Sequence, residues 1–543
     1  MKGQTREAAR AEAMVALLNR GNHMMDQGKL AKAIEAYREL ITLAPQFGPG
    51  HRNLALALEQ VGELAEALSV CRHAVEIQPD DLEAYLIMAS LLLKLERTDQ
   101  AVTMYQLAAL AAPGRSDVQA SLAAALTRQG RLDEASAACQ KAIELSPQNV
   151  GAYVNLGIIH SKRDDFEGAV DIYRKAISID PNSPEVSTNL GVALSNLGMS
   201  QAAIATSRRA IELRPGDPML HYNHAMLLLL AGDLKAGFRE FEWRHSHPAP
   251  RFRPGAFDVP RWRGECRNGR TLLIHAEQGL GDTLHFARFV PAAAATGGPV
   301  VLQAQPQLVE LLRDSLDVTV ISRDEPAPPF DLHVPLMSLA YELGTSIETI
   351  PAERPYLKAA PAKVAAWQRR LAKFSGLKVG VVWAGNPGHL HDRKRSLLGE
   401  VLLPNLLIPG IQLFSLQKEA RTSDRPVLEQ LKDRVVDLEP LLTNFAETAA
   451  AASVMDLVIT VDTAVAHMAG ALGKPTWILL PHILDWRWFY EQEDSPWYPT
   501  VRLFRQHRPG DWESVLNRLP RELERHAADV RPPAEPQKAI RQV

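Results

Sequence analysis

A proline recurs every 34 residues through the first half of the chain, and this spacing constrains the fold more than any other feature. The six prolines are Pro45, Pro79, Pro113, Pro147, Pro181 and Pro215. Twelve residues before each proline lies an alanine, whose small side chain lets two helices cross closely. Because proline ends a helix, the period predicts repeated helix pairs that stack into an α-solenoid.

The period and the pattern are typical of the tetratricopeptide repeat (TPR). Six clear repeats and a degenerate seventh are predicted across residues 14–243. Stacked repeats of this kind form a concave surface and have no chemistry of their own. The sequence therefore predicts an N-terminal TPR superhelix whose groove holds a protein or peptide partner.

A set of asparagines shares position six of the repeats. They are Asn19, Asn53, Asn155, Asn189 and Asn223. Repeats three and four interrupt the series with Ile87 and Ser121. An amide ladder on the inner face can hydrogen-bond the backbone of an extended chain without reading its sequence, so we predict that these side chains line an acceptor groove. The alternative is that asparagine is simply common at this position of the repeat.

Residues 244–268 form a predicted linker that is rich in proline and arginine. Four prolines within residues 245–260 exclude a helix there. We expect an ordered strap with Trp262 packed against the protein. A basic linker that touches a diphosphate or an acidic membrane is the alternative.

Beyond the linker, short apolar strands alternate with helices, which predicts mainly parallel sheets. The proline-rich stretch 351–361 separates two such α/β units. We place them at residues 269–357 and 376–510, followed by a C-terminal helix and tail at 511–543.

Two segments resemble glycosyltransferase family nine, the family of the ADP-heptose lipopolysaccharide heptosyltransferases. VDTAVAHMAGALGKP (461–475) resembles its nucleotide-binding segment, and GLGDTLHFARF (279–289) resembles its N-terminal Gly-Asp motif. Residues 383–396 are similar to bacterial proteins that fuse TPRs to this domain. The resemblance implies a GT-B fold, two doubly wound parallel-sheet lobes with a cleft between them. The composite layout is similar to that of the protein O-GlcNAc transferases.

The resemblance also implies a diphosphate-binding site. The predicted donor-binding residues are Arg393, Arg395, Ser396, Gln417, Lys418, Asp462, Thr463, Ala464 and His467. Thr463 and Ala464 begin a helix whose free amides suit a diphosphate, with Asp462 at the cap. Ala464 departs from the glycine of the family's Asp-Thr-Gly motif, which affects sugar specificity but leaves a backbone amide. The alternatives are an ordinary helix cap at Asp462 and a solvated charge run at 393–395.

Displacement at an anomeric carbon by a hydroxyl needs a general base. The resemblance places Asp282 in that role, although a helix N-terminus would lower its basicity and it can also be only a cap. His285 is the alternative base, and His389 and His391 are further candidates. For the aromatic side chains that follow the last clear strand, packing is the expected role.

Composition excludes several other classes of protein. A formal net charge of −3 gives no bulk attraction to nucleic acid. The three cysteines share no metal-ligand spacing, and no metal motif is present, so no metal or cofactor is expected beyond the nucleotide-sugar substrate. There is no signal peptide and no apolar run long enough to span a membrane, so we expect a cytoplasmic protein.

Together these features predict a metal-independent glycosyltransferase that moves a sugar from a nucleotide-sugar donor to Ser or Thr of a protein held by the TPR groove. One alternative is a glycosyltransferase for lipid-linked or polysaccharide acceptors, with the repeats as a scaffold. A second alternative is a non-catalytic TPR adaptor.

Overall fold

The structure is a computed structural model that describes residues 2–247, 249, 257–352, 355–388, 392–483, 485–490 and 492–530. The chain divides into two compact units, Met1–Leu197 and Gly198–Val543.

The described part of the first unit consists of helices, and the first ten pack as consecutive pairs, from α1 with α2 to α9 with α10. They are α1 (Lys2–Asp26), α2 (Leu30–Leu43), α3 (Gly48–Val61), α4 (Leu64–Ile77), α5 (Leu82–Lys94), α6 (Thr98–Ala111), α7 (Ser116–Gln129), α8 (Leu132–Leu145), α9 (Val150–Lys162), α10 (Phe166–Ile179) and α11 (Pro184–Asn196). The predicted helical solenoid is confirmed in this region.

Close packing inside two of the pairs, α1 with α2 and α9 with α10, depends on a glycine that faces a tyrosine. A Cβ atom on Gly157 of α9 would lie 2.4 Å from Cε1 of Tyr173 on α10. Gly21 and Tyr37 have the same relationship at 2.3 Å. The alanines that precede the periodic prolines are buried. Glycine and alanine therefore set the distance between paired helices.

The second unit begins with three further helices, α12 (Ser200–Leu213), α13 (Pro218–Leu230) and α14 (Leu234–Phe241), and a 3-10 helix (Glu242–Ser246). Its strands are β1 (Leu272–His275), β2 (Val300–Ala304), β3 (Thr319–Ser322), β4 (Leu332–Pro335), β5 (Leu377–Val382), β6 (Ile411–Ser415), β7 (Val435–Asp437), β8 (Leu457–Val461), β9 (Thr476–Leu480) and β10 (Val501–Arg505). Its remaining helices are α15 (Leu280–Phe286), α16 (Val290–Ala294), α17 (Pro306–Ser315), α18 (Leu339–Glu342), α19 (Pro361–Leu371), α20 (Asp392–Arg395), α21 (Gly399–Leu402), α22 (Arg425–Gln430), α23 (Phe445–Ser453), α24 (Ala464–Ala471), α25 (Trp512–Leu516) and α26 (Leu519–Val530).

The strands form two sheets, with the orders β3-β2-β1-β4 and β10-β9-β8-β5-β6-β7. Every pairing of neighbouring strands is parallel, so the predicted parallel sheets are confirmed. Counted from β5, the second order is the doubly wound order 3-2-1-4-5-6. In sheets of this kind, ligands bind outside the carboxyl ends of the strands where the order reverses. In the second sheet that point lies between β5 and β8.

The last two repeat helices pack into the core of the second unit. The ring of Phe238 on α14 lies 6.1 Å from Phe286 and 5.6 Å from Trp486, measured between ring centroids. The compact unit therefore begins at Gly198, whereas the repeat pattern predicts a boundary at 243–244. The 34-residue repeat pattern predicts which residues form helices, but it does not predict which hydrophobic core those helices pack into.

The described part of the linker is an ordered strap, as predicted. Trp262 is fully buried, and its main-chain N–H donates to the carbonyl of His333 on β4 over 2.9 Å. Arg267 is also buried and donates to the carbonyls of Ala293 and Gly298. The strap is thus fixed to the first sheet and its neighbouring helices.

Candidate functional site

Two helices that follow the carboxyl ends of parallel strands pack against each other. Helix α15 follows β1 of the first sheet, and α24 follows β8 of the second. Gly281 lies at the contact, and a Cβ atom at this position would be 3.1 Å from Cδ2 of His467. The contact brings together residues 279–289 and 461–475, the two segments that resemble glycosyltransferase family nine, although they are far apart in the sequence.

Asp282 lies in the first turn of α15 and has two partners. Its Oδ2 accepts the main-chain N–H of Gly279 over 2.9 Å, so it is a helix cap. Its Oδ1 accepts from Nη2 of Arg487 over 2.5 Å. Burial raises the pKa of the Asp282 carboxyl, and the Arg487 guanidinium only partly opposes this. The predicted base is therefore a partly buried, ion-paired carboxyl group whose side chain is 22% exposed.

Arg487 is the site residue that the sequence prediction missed. It lies in a 3-10 helix (Trp486–Trp488) after β9 and is buried. Its Nη1 donates to both carboxylate oxygens of Asp485, over 2.8 and 3.0 Å. The sequence does contain a signal for Arg487. An aspartate and an arginine lie two residues apart, just beyond the carboxyl end of a parallel strand.

The start of α24 differs from the prediction in one respect. The N-cap residue is Thr463, which makes no side-chain capping bond, and Asp462 precedes it. The carbonyl of Asp462 accepts from Nη1 of Arg395 over 2.9 Å. Burial, together with the nearby Asp485 carboxylate, raises the pKa of Asp462 to about 6. The helix start with Ala464 thus lies beside a guanidinium group and a carboxyl group of raised pKa.

The side chains of the basic run 393–395, which follows β5, differ in exposure and in contacts. Arg395 is partly buried and reaches the end of β8, whereas Arg393 is exposed. Ser396 accepts from the N–H of Gly385 over 2.9 Å and donates to Asp392 over 2.8 Å. Ser396 therefore holds the loop after β5, and Arg395 is the member of the run that is tied to the end of β8.

Gln417, one of the predicted donor-binding residues, is hydrogen-bonded to the backbone through its whole side-chain amide. Its Oε1 accepts the main-chain N–H groups of Trp383 and Ala384, over 3.1 and 3.0 Å. Its Nε2 donates to the carbonyls of Ala384 and Lys418. All the hydrogen-bonding groups of this buried amide serve the backbone. The side chain of Lys418 is exposed, so of the pair it is the one that can meet an anion.

His285 cannot serve as the alternative base. It is fully buried, and its ring lies 4.6 Å from that of Trp497. Its Nδ1 shares a hydrogen bond with the hydroxyl of Tyr498 over 3.0 Å. Burial and nearby cations lower the pKa of His285 well below its usual value. The expectation failed because aromatic side chains from a distant segment close over this face of α15. His389 and His391 lie outside the described residues.

His467 points one ring nitrogen at the same tyrosine. Its Nδ1 is 3.0 Å from the hydroxyl of Tyr498, and its ring stacks on Trp488 with centroids 5.3 Å apart. Burial, with help from Arg487, lowers the pKa of His467 to about 3. The imidazole is therefore neutral at pH 7, and its low pKa makes it a weak base that is suited to hydrogen bonding.

The asparagine ladder is used in part by the protein itself. Asn53 donates to Oδ1 of Asn22 over 3.0 Å, and Asn155 donates to the carbonyl of Ala120 over 2.8 Å. These two amides link neighbouring repeats through one N–H group each, and both side chains are partly exposed. Asn19 is exposed, and Asn189 and Asn223 are partly exposed.

The described residues contain no group of three or more histidine, cysteine, aspartate or glutamate side chains that could hold a metal ion. Among the described helices, none has the length and apolar character needed to cross a membrane.

Comparison with known proteins agrees with the two halves of the chain. Tetratricopeptide-repeat profiles match residues 18–81, 58–125, 115–182 and 172–205. The profile "Glycosyltransferase family 9 (heptosyltransferase)" matches residues 410–479, from just before β6 to β9. The chain therefore contains TPRs and a region similar to glycosyltransferase family 9.

Protein FlbA of Caulobacter vibrioides is 28% identical over 339 residues, which cover 57% of this chain and 55% of FlbA. The chain is a homologue of FlbA and spans about half of its length. Among solved structures, a TPR protein from Parabacteroides merdae is 17% identical, with a TM-score of 0.40 over 44% of this chain and 94% of its own. The TPR protein TTC0263 of Thermus thermophilus is 22% identical, with a TM-score of 0.31 over 34% of this chain and 99% of its own.

Proposed function

We propose that the chain is a glycosyltransferase with a GT-B fold, which moves a sugar from a nucleoside-diphosphate sugar to a protein hydroxyl group. The observation that carries the proposal is the packing of α15 on α24, which sets Asp282 beside a helix N-terminus and a buried arginine. The match of residues 410–479 to glycosyltransferase family 9 supports it.

The donor diphosphate would bind at the start of α24. Main-chain N–H groups and the helix dipole at Thr463 and Ala464 attract an anion. Arg395 and Arg487 lie at this end of the strands, and Lys418 is exposed after β6. These cations would neutralise the charge that develops on the leaving diphosphate. The protein thus has the groups for leaving-group stabilisation without a metal ion.

Asp282 would act as the general base. It takes the proton of the acceptor hydroxyl as the oxygen of that group forms a bond to the anomeric carbon. The bond from that carbon to the diphosphate oxygen breaks, and the nucleoside diphosphate leaves. His467, neutral at pH 7, would donate or accept a hydrogen bond at the phosphate or ribose.

The acceptor is proposed to be Ser or Thr of a protein bound by the repeats. Helix pairs of this kind present a concave surface to an extended chain. All five asparagines of the ladder, Asn19, Asn53, Asn155, Asn189 and Asn223, are exposed or partly exposed.

Binding of the donor is tested by thermal unfolding with ADP-, UDP- and GDP-sugars, and a CMP-sugar provides a comparator with a single phosphate. A ligand at a hundred times its Kd stabilises the folded state by about 2.7 kcal/mol, which raises the Tm measurably. We expect one diphosphate sugar to do so, and Arg395→Ala to abolish the shift. No shift with any of them would contradict the donor site.

The nature of the acceptor is tested by intact-mass spectrometry of proteins from cells that express the chain or its Asp282→Ala variant. A sugar-sized mass increase on a protein only with the unaltered chain supports a protein acceptor. Unmodified proteins together with an altered glycolipid would favour the lipid-linked alternative. Replacing Asn189 and Asn223 by Ala should weaken protein modification and leave donor binding unchanged.

A further inference from the structure

The guanidinium group of Arg487 has one edge that is half occupied. Its Nη1 is held by both oxygens of Asp485, the N-cap residue of the same 3-10 helix. Its Nη2 donates to Asp282 over 2.5 Å. Nε shares an edge of the guanidinium with Nη2, is buried, and has no hydrogen-bond partner among the residues the structure describes.

That edge is the one with which arginine binds two oxygens of a phosphate group in parallel. Asp282 uses only half of it. The other oxygen of Asp282 is committed to the N–H of Gly279 as the helix cap. In this arrangement Asp282 bonds only Nη2 and leaves Nε without a partner, whereas two phosphate oxygens can occupy both donors.

A second guanidinium group at this end of the strands has the same property. Arg395 is tied through Nη1 to the carbonyl of Asp462, and its Nε is buried without a hydrogen-bond partner among the described residues. The nearest carboxylate, of Asp392, is 3.6 Å from that Nε. Nε of Arg487 and Nε of Arg395 are thus two such donors near the start of α24, which is where we propose that the diphosphate binds.

On the basis of that proposed donor site, we infer that Arg487 is a positioning residue that exchanges partners during the reaction. Before the donor binds, Arg487 pairs with Asp282 and keeps its carboxylate occupied. The diphosphate then takes Nε and Nη2, Asp485 keeps the guanidinium in place, and Asp282 is released to the acceptor hydroxyl. The base thus becomes available only when a donor is bound.

The exchange predicts that removing the charge of the proposed catalytic carboxylate strengthens binding of a diphosphate. Asp282 competes with the diphosphate for Arg487, so Asp282→Asn should bind inorganic pyrophosphate, ADP, UDP or GDP about tenfold more tightly than the unaltered chain. Arg487→Gln should bind the same probes at least about tenfold more weakly. Titration calorimetry on the full chain measures both effects.

The double variant separates exchange from simple charge repulsion. If Asp282 only repels the anion, Asp282→Asn strengthens binding whether or not Arg487 is present. If the two compete for the guanidinium, Asp282→Asn has no effect in the Arg487→Gln background. Glu522→Gln breaks another short ion pair of this unit, with Arg502, and should leave binding unchanged.

The outcomes discriminate between the two proposals. Binding to the unaltered chain with equal or weaker binding to Asp282→Asn overturns the exchange and leaves the donor site standing. Tightening that persists in the double variant also overturns the exchange. No binding of any probe to the unaltered chain overturns the donor site and the exchange together. If Arg487→Gln does not fold, Arg487→Lys replaces it in the cycle, because its single ammonium group lacks the paired edge and should abolish most of the tightening.

Discussion

Arg244 and Glu277 form a two-point ion pair inside the second unit. Nε lies 3.2 Å from Oε1, and Nη2 lies 3.0 Å from Oε2. Arg244 has no exposed side-chain surface, and that of Glu277 is 7% exposed. Arg244 follows the last repeat helix, and Glu277 lies in the loop that leads from β1 to Asp282. The pair therefore joins the repeat-derived helices to the loop that carries the proposed base.

Replacing Arg244 by Ala should strongly destabilise the second unit. The change leaves the carboxylate of Glu277 buried without its cation, which costs about 3–5 kcal/mol, whereas Glu242 keeps its ion pair with Arg261. Urea unfolding followed by tryptophan fluorescence measures the loss. Arg239→Ala is the matched control, since that side chain is 66% exposed and its removal should change the free energy of unfolding by less than about 0.5 kcal/mol. Equal stability of the two variants would contradict a structural role for the pair.

Substitution of the neighbours Gln417 and Lys418 should affect different properties, stability for Gln417 and nucleotide-sugar binding for Lys418. Gln417→Leu leaves the N–H groups of Trp383 and Ala384 buried without acceptors, so we expect a loss of about 2–6 kcal/mol of stability. Lys418→Met removes an exposed charge and should leave stability within about 0.5 kcal/mol. It should nevertheless weaken nucleotide-sugar binding by about tenfold if Lys418 meets the diphosphate. Chemical unfolding and calorimetry on each variant separate the two effects, and normal binding by Lys418→Met would exclude that contact.

Gly157 should be intolerant of alanine although it lies within a helix. Alanine favours a helix over glycine by about 1 kcal/mol. Here a Cβ atom would meet the ring of Tyr173 at 2.4 Å, and overpacking of a core costs about 1–3 kcal/mol. We expect the clash to win and the first unit to lose stability. Gly151→Ala, at the exposed start of the same helix, should leave the thermal stability unchanged or raise it. Thermal unfolding followed by circular dichroism measures both variants. A stabilised Gly157→Ala variant would show that the ring moves aside freely.

The repeat region could be predicted from sequence because its determinants are local and recur. A buried alanine recurs twelve residues before each periodic proline, and in two helix pairs a glycine packs against a tyrosine sixteen residues further on, as Gly157 and Tyr173 do. The parallel sheets could also be predicted, since short apolar strands alternate with helices.

The residues around Asp282 could be predicted only where a motif was local. The Gly279–Asp282 turn and the start of α24 lie where the motifs indicate. The partner of Asp282 is Arg487, which is 205 residues away. The ring that fixes His285 belongs to Tyr498, which is 213 residues away. No local pattern states which side chain a helix face will meet, so the ion pair was missed and the buried histidine was mistaken for a base.

Donor binding should strengthen as the pH falls through about 6 because of Asp462. Burial and Asp485 raise the pKa of this carboxyl group to about 6, so it is largely ionised at pH 7.5 and largely protonated at pH 5. An ionised carboxylate at the start of α24 repels the diphosphate, and its protonation removes that repulsion. A nucleotide sugar does not itself titrate in this range, because both of its phosphates are esterified. Calorimetry at several pH values should show tighter binding at low pH, and Asp462→Asn should bind tightly at every pH.

The same carboxyl group gives a second test without a ligand. Its pKa in the folded state is above the ordinary value, so the folded state holds a proton that the unfolded state has released between about pH 4 and 6. The stability from that proton is fully present below about pH 4 and is lost as the pH rises through about 6. Asp462→Asn should therefore be more stable than the unaltered chain at pH 7.5, and the difference should disappear near pH 4. A difference that is constant with pH would mean that Asp462 is ionised throughout, and the binding of the donor would then have to depend on pH for another reason.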